Sequence, residues 1–380
     1  MSKKILDALH KELESPAVPK KLGQGWISGV IALVLSILSL LSVLCLSFPE
    51  ILTVPEIREI VDASLFSTAI KIIIVIAFVF SCISLILRQN KILGLVSATL
   101  IVTAIIIGGS FSDRTSELSS EYYFAFDWFM LNLIITGMLF LPFERVFQRV
   151  EQGVFRFEWR EDLFYFLISS IMVQSLTFFT MMPVTQVLAI SYLSAIQSFV
   201  SNQPILLQFI EVMFLTDLVQ YWVHRFFHKI PFLWGFHSVH HSAQAMDWLA
   251  GSRMHVMEII CLRGLTIIPM YALGFQEPAI YAYIIVVYLY ATYIHANLKF
   301  DIECLKPFIV TPRFHHWHHG IEKEAIDVNF AIHFPILDRI FGTYYMPKDK
   351  WPSGYGVGGH PVPSGFIKQF MYPFTRKRNA

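Results

Sequence analysis

Apolar runs dominate the chain. Segments 26–48, 67–87, 92–110 and 124–141 are each close to 20 residues of mostly aliphatic and aromatic side chains, the length an α-helix needs to cross a bilayer. Polar stretches at 49–63, 88–91 and 112–121 separate them. A basic amphipathic stretch, 143–162, follows with Arg145, Arg149, Arg156 and Arg160; it is expected to lie at the membrane interface or to link helices. Run 163–181 reads as a further crossing, and the more broken run 184–200 does not read as a full one. Run 205–223 crosses while carrying Gln208, Glu211, Asp217 and Gln220. The last apolar pair, 259–275 and 279–294, hinges at Gly274 and Pro278. The pattern predicts an all-α polytopic bundle. It divides into a basic N-terminal segment 1–24, added membrane helices at 25–142, a catalytic domain at 143–348 and a tail at 349–380.

Composition supports lipid as the solvent: 55% of the 380 residues are hydrophobic and 15% charged, against about 25% charged in soluble domains. The net charge of +1 gives no reason to expect a nucleic-acid partner. Cys45, Cys82, Cys261 and Cys304 lie far apart, form no CxxC and read as small buried hydrophobes. The N-terminus lacks a secretory signal pattern. Lys3, Lys4, Lys11, Lys20 and Lys21 precede the first run, Arg88 and Lys91 follow the second, and four arginines follow the fourth. This bias places the N-terminus and 143–162 in the cytoplasm. Counting crossings from there brings His224 and His295 to the same cytoplasmic face.

Histidine is the candidate chemistry. Ten of the fourteen histidines fall in three places: His224, His228, His237, His240 and His241; then His295; then His315, His316, His318 and His319. His224 and His228 are four apart, so a helix presents them on one face. His237, His240 and His241 repeat at i, i+3, i+4, as do His315, His318 and His319, which leaves His316 as the odd member. A helical face with imidazoles at this pitch can chelate a metal from one side, and several such faces can enclose two metals. Nine nitrogen donors suit two ions with positions left open for a substrate or O2, and imidazole suits iron, copper, zinc and nickel. Five crowded imidazoles would repel one another if charged; metal is the simplest stabiliser. His10 and His360 read as ordinary isolated histidines, and His333 as packing. Asp217 lies seven residues before His224 on the same helix face. It is expected to accept the second N–H of a ligand histidine. Asp301, Asp327 and Glu258 are weaker candidates for that part.

The order HRFFH, HSVHH, HHWHH resembles the histidine boxes of the fatty acid hydroxylase/sterol desaturase superfamily of membrane di-iron oxygenases. Beyond the boxes, SRMHVME (252–258) is similar to the family's RxHPxE stretch, with Val256 in place of proline. HANLKF (295–300) is similar to its isolated HxN, and DVNFAIHFPILDRIFGTYY (327–345) to its closing segment, with Ile336 and Leu337 where Trp is common. Lys299 stands where some members have a further ligand histidine, so the resemblance implies nine ligands. It spans roughly 156–360 and leaves the first four runs outside. The resemblance implies two iron ions held by His224, His228, His237, His240, His241, His295, His315, His318 and His319 in a histidine-rich cap on the cytoplasmic side. Asn297 is then expected in the surrounding shell or acting through water. It further implies O2 as co-substrate, electrons from a separate redox partner of cytochrome b5 or ferredoxin type, and hydroxylation or desaturation of a C–H bond in a sterol, fatty acyl, sphingoid or ether lipid. The host membrane would be a bacterial inner membrane or the endoplasmic reticulum. Two rivals remain: a zinc hydrolase, for which HExxH is absent, and a non-enzymatic metal- or haem-binding or transport protein, whose site would sit at the membrane midplane.

Overall fold

A computed structural model describes residues 27–54, 57, 63–87, 91–108, 126–153, 155–172, 179, 181, 194–300, 304–359 and 361–376. The N-terminal segment, most of 163–181 beyond 172, most of 184–200, and His10, Asp301 and His360 lie outside them. Among the described residues the fold is helical, with no β-strand and two isolated bridges, Gln148 to Leu298 and Gly320 to Tyr355.

The helices of five or more residues are α1 (Ile27–Ser47), α2 (Ala63–Leu87), α3 (Ile92–Gly108), α4 (Phe126–Val146), α5 (Trp159–Ile171), α6 (Ser194–Ser201), α7 (Ile205–Lys229), α8 (Pro231–His240), α9 (Val256–Ala272), α10 (Glu277–His295), α11 (Pro312–His318), α12 (Ile336–Ile340) and α13 (Phe366–Thr375). Among the described residues four segments, Ile27–Ser47, Ser64–Leu85, Ile205–Lys229 and Glu277–His295, are long and apolar enough to cross a membrane, and α3 is a shorter apolar helix. The chain is a multi-pass membrane protein. The described chain forms two compact units: one reaches Ile134, and the other holds Ile135–Glu151, Phe157–Ser169 and the described part of Ser175–Ala380.

In the first unit α1, α2 and α3 pack on one another. Ala32, Ser36, Ser39 and Val43 are buried along one stripe of α1, and small residues at this spacing let helix backbones approach. Two buried hydroxyls stay inside their own helices: Ser36 Oγ donates to Ala32 O at 2.6 Å and Ser97 Oγ to Leu93 O at 2.7 Å. Ser81 Oγ instead donates across to Gly94 O at 2.8 Å.

The second unit is built around α7, which contacts α8, α9 and α10. Its core groups Tyr221, Ile294, Val310, Phe314, Phe330 and Leu337. The sequence punctuates it legibly. Ile230 is extended (φ −94°, ψ 115°) because proline follows it, so α7 stops at Lys229 and Pro231 opens α8. Thr311 caps α11 from its side chain, again with proline at the first turn. Residues beyond 349 belong to this unit: Trp317 Nε1 donates to Lys350 O at 3.0 Å, and α13 packs on α8.

The stretch 143–162 is not one amphipathic helix. Helix α4 ends at Val146, and α5 begins at Trp159. Between them the backbone pairs with 297–299: Arg149 N donates to Asn297 O at 3.2 Å, and Lys299 N to Phe147 O at 2.9 Å. Those bonds take the groups that a continuing helix would have used. Glu158, at φ 62°, turns the chain into α5.

A candidate two-centre histidine site

Two groups of histidines come together at the ends of these helices. In the first are His224, His228, His237, His241 and His318; in the second, His240, His295, His315 and His319. Within each group one ring nitrogen from every member lies within 4.8 Å of all the others. Eight of the nine residues are buried, and His228 is partly so.

The helical pitch divides the boxes between the groups. Pairs four apart stay together: His224 with His228, His237 with His241, His315 with His319. The remaining member of each triad, His240 or His318, joins the other group. Each of α8 and α11 therefore serves both groups. His295 arrives from the last turn of α10. Its ring passes so close to Gly251 that a Cβ there would lie 2.9 Å from His295 Nδ1, so position 251 requires glycine.

Hydrogen bonds fix the rings. His224 Nδ1 bonds Phe330 O at 2.9 Å, His240 Nδ1 bonds Arg253 O at 3.0 Å, His295 Nδ1 bonds Ala291 O at 2.6 Å and His318 Nδ1 bonds Val328 O at 2.7 Å. A carbonyl only accepts, so each Nδ1 carries the proton and each neutral ring has a bare Nε2 lone pair. His237 Nδ1 lies 2.6 Å from Glu258 Oε1, and His228 Nδ1 lies 3.3 Å from Asp327 Oδ1. Against an ionised carboxylate these nitrogens donate as well.

Bare nitrogens then face one another. His240 Nε2 and His295 Nε2 are 3.3 Å apart in one group; His224 Nε2 and His237 Nε2 are 2.9 Å apart in the other. No proton is left to bond the His240–His295 pair, and none to bond the His224–His237 pair while Glu258 is ionised; burial pushes that carboxyl well up, and a cation on the His237 ring favours its ionised form. His228 Nε2 and His318 Nε2 are buried with no hydrogen-bond partner among the described residues. Burial first, and then the neighbouring rings, push His237, His240, His241, His315, His318 and His319 well below the ordinary imidazole range. Protonation therefore does not relieve the crowding. A cation among the lone pairs does, and the donor set fits a borderline transition metal.

His316 stands outside both groups. Its Nε2 donates to His295 O at 3.2 Å, and its Nδ1 accepts from Tyr355 Oη at 2.7 Å, so both ring nitrogens are engaged. Burial and then Arg149 push it down to about 3.

Asp217 requires a correction. Its carboxylate accepts the backbone N–H groups of Ile332, His333 and Phe334 at 2.9, 3.1 and 2.7 Å. Its neighbouring histidine is His333, at 3.6 Å, and not a member of either group. The helix face pointed as expected, but the 332–334 backbone supplies three donors there. Asn297 likewise braces the chain and not a ring: its side chain bonds both Val150 N and Val150 O, at 3.0 and 2.7 Å.

Those braces fall to residues that the sequence ranked low or did not single out. Glu258 was legible as the last residue of SRMHVME. Backbone carbonyls carry no side-chain signature, but their placement has one. Asp327 (φ 60°) and Asn329 (φ 58°) sit in the left-handed region, which Asp and Asn tolerate better than most residues. Alternating with them, Val328 and Phe330 present their carbonyls to His318 and His224. Asp338 accepts from Phe330 N and Ala331 N at 2.8 and 2.9 Å, holding that segment in place. Arg253 is wholly buried, paired with Asp162 and, at 2.8 Å, with Glu158, which steadies the carbonyl it offers to His240.

Helical spans ending in a doubled cluster of neutral imidazoles define a membrane protein with a two-centre histidine site. Residues 209–343 match the family model described as fatty acid hydroxylase, and the chain carries a domain of the fatty acid hydroxylase/sterol desaturase superfamily. It is 28% identical over 174 residues to an ornithine lipid hydroxylase from Rhizobium tropici, covering 46% of this chain and 52% of that protein. It is 34% identical over 166 residues to an alkylglycerol monooxygenase from Danio rerio, covering 43% and 36%. It is 30% identical over 153 residues to a methylsterol monooxygenase from Arabidopsis thaliana, covering 38% and 48%. The chain thus spans about half or less of the length of these relatives. No solved structure matches it.

Proposed function

We propose that this chain is a membrane-bound, O2-dependent oxidoreductase that oxidises a C–H bond of a lipid, using two iron ions held by the nine histidines. The observation that carries the reading is the pair of lone-pair contacts, His240 Nε2 to His295 Nε2 and His224 Nε2 to His237 Nε2, one in each group. Two such contacts call for two cations. The names of the relatives, all lipid hydroxylases or monooxygenases, point to the substrate class. Iron supplies a Lewis acid that changes oxidation state and engages O2. The protein's part is orientation: the Nδ1 bonds to Phe330, Arg253, Ala291 and Val328 hold each ring with its lone pair turned inward.

His224, His228 and His295 end two membrane-length helices. These helix ends support a site at the bilayer surface, within reach of a lipid chain rising from the leaflet, and the lysine and arginine bias supports the cytoplasmic side for it. Electrons come from a separate redox protein of cytochrome b5 or ferredoxin type.

Metal analysis tests the reading. Protein purified without air in detergent should hold about two irons per chain, as two donor groups require, with a Mössbauer spectrum of non-haem iron. A Soret band, or protein free of iron after anaerobic preparation, sinks it. Comparison of lipids from cells with and without the gene should then show a precursor that accumulates when the gene is lost.

A further inference from the structure

Helix α13 presents two adjoining apolar faces. One face packs on the rest of the second unit and buries Gln369 and Pro373. Phe366 lies 4.7 Å, centroid to centroid, from both Phe164 and Tyr165. Phe370 stacks on His255 at 4.8 Å and 16°. The adjoining face is Ile367, Met371 and Phe374, at i, i+4 and i+7, exposed by 76, 44 and 57%. A water-facing stripe at this spacing is ordinarily polar. Basic residues flank it: Lys368 is exposed on the helix, Arg376 follows its end with its guanidinium donating to Pro231 O, and Lys377 and Arg378 come next in the sequence.

The apolar face continues an apolar surface. Phe226 and Ile230, where the membrane-length α7 ends, are 49 and 43% exposed, and Phe232 is 47% exposed. Rings link that exit to α13: Phe232 lies 5.3 Å from Phe236, and Phe236 lies 5.5 Å from Phe374. Apolar residues on one face with cations beside them match a helix bedded in a lipid surface, its basic groups among anionic headgroups.

We propose that α13 is an interfacial membrane helix, with Ile367, Met371 and Phe374 seated in the lipid leaflet at the end of α7. Its seat is coupled to the histidine site. His255 Nε2 bonds Phe370 O at 3.1 Å, and the same ring caps α9 by accepting Met257 N at 3.1 Å. Helix α9 carries Glu258, which holds His237. On the other side, a Cβ at Gly235 would lie 3.3 Å from Pro373 Cα, so α8 and α13 touch backbone to backbone two residues before His237.

Spin labels in the full chain, with its four cysteines replaced, test the seat in nanodiscs of phosphatidylcholine with a minority of phosphatidylglycerol. Labels at Ile367→Cys and Met371→Cys should collide more with O2 than with a water-soluble nickel chelate, and a reference label at Lys350→Cys should do the reverse. Unsubstituted protein in discs containing a photoactivatable phospholipid should show lipid adducts within 366–376. Water-phase accessibility at both α13 positions with no adducts there overturns the proposal. So does a short label-to-label distance between two copies through Met371, which would make this face a protein contact. Neither readout depends on bound metal, so the seat and the proposed activity fail separately.

Discussion

The two units bury different things. The α1–α3 unit buries small and aliphatic residues, and the hydroxyls of Ser36, Ser81 and Ser97 answer carbonyls of its helices. The histidine unit buries Asp162, Asp217, Glu258, Arg253 and Asp338 together with its imidazoles. Charged groups away from water are costly unless paired or hydrogen-bonded. Each has such partners: Arg253 has two carboxylates, Asp217 three backbone donors, and Asp338 two backbone donors and Thr343. The contrast separates packing for assembly from packing for geometry. Small-residue contacts hold helices together without needing one exact arrangement. A shell of directed hydrogen bonds orients six of the nine rings, those of His224, His228, His237, His240, His295 and His318.

Substitutions should expose that difference. The largest effect belongs to the site. His240→Ala or His295→Ala should abolish activity and lower the metal content of the purified chain; full metal loading in either variant removes that residue from the ligand set. Next comes the bracing carboxylate. Glu258→Gln keeps an acceptor beside His237 but removes its charge, and should weaken metal affinity by roughly 10- to 100-fold, read by competition with a chelator. Unchanged affinity would reduce Glu258 to a packing residue.

Acid should act on the histidine unit first. The folded site holds His237, His240 and His241 well below the ordinary value of 6.5. As pH falls through 6.5 the unfolded chain takes up protons that the folded site refuses, so stability present above that pH is lost below it. Protons also compete with metal for the same lone pairs. Metal retention measured after dialysis between neutral and mildly acidic pH should drop in the same direction; retention that improves on acidification contradicts the assignment.

Smaller effects belong to α1–α3. A Cβ at Gly94 would lie 2.8 Å from Leu85 Cγ. Gly94→Leu should cost about 1–3 kcal/mol by overpacking, seen as a lower melting temperature in detergent with metal content per chain unchanged. Smallest is Ser36→Ala, which loses one bond to a carbonyl already in its helix ladder. Its cost should stay below about 1 kcal/mol. A metal loss in either variant would mean that the two units are energetically one.

Much of this was written in the chain itself. The four membrane-length helices among the described residues are legible because a helix in lipid must be apolar over a length set by the bilayer. The histidines are legible because α-helical pitch makes i, i+4 neighbours, and prolines at 231 and 312 mark where the box helices begin. Their division into five and four, with His240 and His318 crossing to the opposite group, was not, because it depends on how α8 and α11 are rotated against α7 and α10. Nor was the change of part for Asp217 and Asn297, whose partners are backbone groups 115 and 147 residues away. Spacing along one helix fixes which side chains share a face. Which lone pairs meet, and which carbonyls turn them inward, is decided by segments distant in sequence, and only the folded chain brings those together.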